Sequence, residues 1–129
     1  VRRFSDLRAD GVYGDELPFI LLVVGRYRDG AQSDTLELRA MLDALDQSPD
    51  AKPVWAACAF GQGETNLLSE AASIGGHVRV GFENNCLMAD GSLAESNASR
   101  VGEVTTALRS LGLSPLSADS ARTAFKLRR

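Results

Sequence analysis

Histidine occurs once in this 129-residue chain, tryptophan once, and cysteine twice. A single histidine excludes a histidine cluster for a metal supplied by this polypeptide alone, and two cysteines are too few for a disulfide framework. Cys58 falls in an apolar strand pattern and Cys86 in a loop, which reads as two reduced thiols in a cytoplasmic protein. No apolar run approaches the roughly 20 residues of a membrane-spanning helix. The longest, residues 19–24, is the size of a strand, and the opening Val-Arg-Arg-Phe-Ser-Asp lacks the apolar segment of a secretory signal. An excess of one charge is missing too: 14 Lys and Arg stand against 17 Asp and Glu, a formal −3. With aromatics at 6% and no basic stripe, nucleic acid is a poor candidate partner. Arg2-Arg3 and the basic residues 126–129 read as solvated tails.

What is present is a 44% apolar chain, long enough to bury a core as one domain over residues 1–129. Its elements alternate. After a short helix over 5–10, Pro18 opens the run Phe19-Ile20-Leu21-Leu22-Val23-Val24, closed by Gly25. A run apolar on both faces predicts a strand covered on both sides, as in parallel sheets. A helix follows, capped by Ser33 or Asp34, with Leu38, Met41, Leu42 and Leu45 on one stripe. Residues 54–60 form a second covered strand ending at Gly61. A helix over 64–74 ends at Gly75-Gly76. A third strand is expected over 77–83 and a polar loop over 84–96. A helix over 97–111 carries Val101, Val104, Leu108 and Leu111, and a last helix covers 117–127. Strand–helix alternation predicts parallel pairing. Three such strands leave open edges, so the expectation is a piece of a larger sheet or barrel.

The most informative stretch is Gly75-Gly76-His77-Val78-Arg79-Val80-Gly81-Phe82-Glu83-Asn84-Asn85. Period-two alternation puts Val78, Val80 and Phe82 on one face and His77, Arg79, Gly81 and Glu83 on the other. Such a strand is either an edge strand with a wet side or a barrel strand whose inward residues serve a centre near its carboxyl end. Arg79 and Glu83 would be roughly 13 Å apart if the backbone were fully extended, so the strand end must bend for both to serve one site.

This stretch, with Leu87, Gly91, Leu93-Ala94 and Ser96-Asn97-Ala98, resembles the C-terminal signature of the β-keto acid cleavage enzymes, the family named for 3-keto-5-aminohexanoate cleavage. The family pattern is G-G-H-x-R-V-G-x-E-D-N, then a short loop and x-x-N-A. The likeness extends back through Val24-Gly25 and the Trp55 strand, and forward to residues 118–122. It implies an α/β fold, the C-terminal half of a TIM (β/α)8 barrel. The chain would be strands six to eight with their helices: three parallel strand–helix units plus a terminal helix.

The resemblance also implies a zinc-dependent reaction of a β-keto acid with acetyl-CoA, giving acetoacetate and a new CoA thioester. In the family two histidines from an early strand and one glutamate hold the metal; the glutamate matches Glu83, and the histidines have no counterpart here. The metal polarises the ketone, and an arginine fixes a carboxylate or stabilises developing negative charge, the role that falls to Arg79. Where the family has the aspartate that pairs with the arginine as base, this chain has Asn84, and an amide is no carboxylate base. The resemblance implies small-molecule substrates, a β-keto acid and acetyl-CoA, and the open edges of a half-barrel point to a homo-oligomer.

Each feature also has a plainer reading. Arg79 and Glu83 suit a strand-surface ion pair, Asn84 a loop position, His77 a structural histidine, and Cys58 the core. Gly61-Gln62-Gly63 at a helix start is either a plain turn or a set of backbone N–H groups for a CoA phosphate, bound by Gly61 and Gly63. Arg26 and Arg28 are either loop charges or further phosphate contacts. Two alternatives to the enzyme stay open: a truncated or diverged relative serving as a binding or assembly module, and an unrelated doubly wound domain, for which no dinucleotide fingerprint is present.

Overall fold

The computed structural model describes residues 1–13, 19–25, 33–46 and 53–126. Within them the order is α1 (Arg2–Ala9), β1 (Ile20–Val24), α2 (Thr35–Asp46), β2 (Trp55–Ala59), α3 (Glu64–Ser73), β3 (His77–Val78), α4 (Asn97–Ser110) and α5 (Ala118–Ala124). The strands form one parallel sheet in the order β1-β2-β3. The α/β alternation read from the sequence is therefore present, with three parallel strands and five helices among the described residues. Pro18, Arg26, Arg28 and Leu127 lie outside the described residues.

Register fixes which side chains share a face. Leu21 pairs with Ala56 and Ala56 with His77; Val23 pairs with Cys58, and the Arg79 N–H continues the ladder to the Ala57 carbonyl at 2.9 Å. The alternate positions Leu22, Val24, Ala57 and Ala59 are buried against Leu38, Leu67 and Leu68 of the helices, with Val78 and Val80 packed on the same core. On the opposite face the first strand is only partly covered: Leu21 is 38% and Val23 40% exposed, and Phe19, just before the strand, 51%. The two-faced apolar run thus forms the expected strand, but among the described residues only one face is fully covered. The run specifies a second layer that these elements do not supply.

The third strand is shorter than the alternation predicts, ending at Val78 instead of residue 83. β2 stops at Ala59, which the register sets opposite Val80, and Gly61 turns the chain away with φ +76°, so residues 81–83 have no backbone of β2 to pair with. The chain instead folds at Gly81, whose carbonyl accepts from the N–H groups of Asn84 (2.9 Å) and Asn85 (3.2 Å). Asn97 Oδ1 takes the Phe82 N–H at 2.8 Å. The Asn of the x-x-N-A segment therefore holds the turn of the preceding motif. Gly76 has a separate reason to be glycine: a Cβ there would run into the Trp55 indole, closer than 3.0 Å to three ring atoms.

α4 begins with a capping box, Ser96 Oγ accepting from the Ser99 N–H at 3.2 Å. Its buried line is Arg100, Val104 and Leu108, an i, i+4, i+8 row facing α3. Val101 and Leu111, expected on the core stripe, are exposed. The helix is turned by the buried partners of Arg100. The polar loop is folded as well, closed by an antiparallel bridge between Leu87 and Leu93 around Gly91, which has φ +87°.

Candidate functional site

Arg79 and Glu83 come together. The turn at Gly81 supplies the bend that full extension would forbid, and Arg79 Nη2 donates to Glu83 Oε2 in an i, i+4 ion pair at the carboxyl end of β3. The pair is open to solvent, with the Glu83 side chain 75% exposed. The Glu83 carboxylate holds the Arg79 guanidinium above its already high ordinary value, so Arg79 is a permanent cation.

Asn84 points elsewhere. It is buried, and its Nδ2 lies 3.3 Å from Cys58 Sγ; its Oδ1 is also buried and has no hydrogen-bond partner among the described residues. Cys58 is wholly buried on the sheet face that carries Arg79. Burial pushes its thiol up, only partly offset by Arg79 and Asn84. The Arg79–Glu83–Asn84 set thus splits into an exposed ion pair and an inward-turned amide. The carboxylate that Arg79 holds is that of Glu83.

The His77 ring packs edge-on to Phe125 at 4.9 Å, with Phe19 at 6.0 Å, inside an aromatic cluster. Among the described residues no three of His, Cys, Asp and Glu stand together as a metal site. The exposed Glu83 carboxylate, paired with Arg79, is not by itself a zinc shell. Gly61 and Gly63 lie in the turn before α3, where Gln62 Nε2 is tied to the Ala89 carbonyl at 2.9 Å.

Behind the loop lies a cluster that sequence reasoning missed. Arg100 is fully buried and pairs with the equally buried Glu64 and with Glu103, and its Nη2 is 3.3 Å from Thr65 Oγ1. Asn85 Nδ2 donates to Glu64 Oε2 at 2.9 Å, and Glu103 Oε1 accepts the Ala89 N–H at 3.0 Å. The available signal was positional: Arg100 sits four residues before Val104 and eight before Leu108, on the buried line of its helix.

The protein-family profile described as "beta-keto acid cleavage enzyme" matches residues 1–127. The chain belongs to this family. Among curated proteins, the 3-keto-5-aminohexanoate cleavage enzyme of Fusobacterium nucleatum subsp. nucleatum is 35% identical over 85 residues, covering 66% of this chain and 31% of that enzyme. The chain thus spans about a third of the length of the curated relative it matches. Membership in the β-keto acid cleavage family removes the unrelated doubly wound domain from consideration. No described helix is long and apolar enough to cross a membrane.

Proposed function

We propose that this chain is the C-terminal half of a TIM barrel, strands six to eight with their helices, in an enzyme that cleaves a β-keto acid with acetyl-CoA. The products are acetoacetate and a new CoA thioester. The observation that carries the reading is the Arg79–Glu83 pair at the carboxyl end of β3, on the side of the sheet where β1 leaves Leu21 and Val23 uncovered. In a barrel that side is the interior, and the carboxyl ends of its strands bear the chemistry.

Zinc, when bound, supplies Lewis-acid polarisation of the ketone. Glu83 offers one carboxylate to such an ion, with the remaining ligands outside the set described. Arg79 binds the substrate carboxylate or a developing oxyanion as a fixed cation. Asn84 occupies the family's catalytic position but donates hydrogen bonds instead of taking a proton. The turn at Gly61 and Gly63 offers backbone N–H groups to a CoA phosphate, and Arg100 neutralises the Glu64 carboxylate that would otherwise repel it. A cytoplasmic homo-oligomer accommodates the uncovered apolar strand.

One observation favours a second reading, a relative retained for binding or assembly: the inward-turned Asn84 leaves Arg79 without the base of the family. The deciding experiment measures zinc by elemental mass spectrometry in the full-length protein and in Glu83→Ala, beside an assay for acetoacetate. Zinc near one per chain that is lost in the variant, together with turnover, supports the enzyme. Zinc without turnover on a panel of β-keto acids leaves the binding module, and absence of zinc from the parent sinks the metalloenzyme.

A further inference from the structure

We infer that Glu64 and Arg100 are positioning residues for the turn that carries Glu83 and Asn84, acting through Asn85. The inference rests on the reading of residues 79–84 as the site. Both charged groups are fully buried between α3 and α4. Apolar side chains would pack the two helices at least as well, because desolvating an ion pair offsets most of its attraction. What the charges add is a fixed acceptor facing the loop.

Glu64 Oε2 takes the Asn85 Nδ2 at 2.9 Å. The same Asn85 nitrogen donates to the Leu87 carbonyl at 2.8 Å, and Asn85 Oδ1 accepts the Leu87 N–H at 2.9 Å. At the far end of this segment the Ala89 N–H is held by Glu103, which Arg100 also grips. The ion cluster therefore straps the loop at residues 85 and 89. Asn85 adjoins Asn84 and stands two residues from Glu83. Exposed as it is, the Arg79–Glu83 pair takes its place from the backbone behind it, and that backbone is pinned by buried charge. Groups one step removed from a site commonly set its geometry in this way.

The test uses the full-length protein and three variants: Glu64→Gln, Asn85→Ala and the double variant. Asn85→Ala leaves the Glu64–Arg100 pair intact, so it reads the strap without unpacking the helices. Hydrogen–deuterium exchange of the segment 79–90 is followed beside kcat and KM for acetoacetate formation and the thermal midpoint. Each single variant is expected to speed exchange in this segment alone and to lower kcat about tenfold or more, with KM within about twofold. The double variant is expected to be no worse than the singles, as for residues acting in one chain of contacts. Unchanged exchange in 79–90, effects that multiply independently, or faster exchange with kcat intact would each overturn the inference. If the parent shows no turnover, faster exchange in both singles with no further gain in the double still supports the positioning role, and only the enzyme reading falls.

Discussion

The Trp55 indole lies across the backbone of Gly76, occupying the space a side chain there would need. The relationship ties the middle strand to the first residues of the motif and explains the second glycine of its Gly-Gly pair. Gly76→Ala is expected to cost about 1–3 kcal/mol through overpacking, and Trp55→Leu in the same chain to recover part of it. Urea unfolding of the two single variants and the double variant measures this. Additive losses would mean that the contact does not govern the position.

Val23 shares its row with Cys58 and faces away from the helices. If that face is a barrel interior, Val23→Asp in the full-length protein buries a carboxylate and costs about 3 kcal/mol or more. A change within about 0.5 kcal/mol, the range of ordinary surface substitutions, would mean that the face stays wet and the half-barrel reading is wrong.

Acid should act through Glu103. Burial raises its carboxyl, but the Ala89 N–H, the Thr65 hydroxyl and Arg100 together bring it below its ordinary value of 4.5. A depressed folded-state value means stability that is present above pH 4.5 and lost as pH falls toward the folded value. The thermal midpoint should therefore drop on acidification below that point, and drop less in Glu103→Gln. Equal slopes in both proteins would remove Glu103 as the cause.

The two thiols should part company under alkylation. Cys58 is buried with its thiol pushed up, and Cys86 is exposed. Iodoacetamide is expected to label Cys86 at least about 100-fold faster, with Cys58 reacting only on unfolding. Because the folded Cys58 value is raised, its contribution to stability is complete at neutral pH and lost as pH climbs through that value. Comparable labelling rates, read by mass spectrometry, would show that Asn84 and Arg79 do not seal the thiol.

Much of the order of elements was legible because apolar runs closed by glycine mark strand ends whatever the rest of the molecule does. Gly25 and Gly61 both take positive φ where the strands stop. The full reach of β3 was not legible, since the alternation runs on to Glu83 although β2 ends opposite Val80 and the chain folds at Gly81. The rotation of α4 was hidden for a different reason. A buried arginine looks like a surface residue until its partner, Glu64, 36 residues away, is brought beside it. The pairing of Arg79 with Glu83 could be posed from spacing as a required bend, and Gly81 with Asn97 makes that bend. The direction of Asn84 could not, because both an open and a buried amide satisfy the same residue pattern.

The ion pair of Arg79 and Glu83 has a kinetic consequence. At rest the end of β3 presents a self-neutralised dipole, not a bare cation, so an approaching anion feels little long-range pull. Encounter with a carboxylate should then be nearly independent of salt. If the pair is the site proposed above, a ligand that claims Glu83 sets Arg79 free for a second guest.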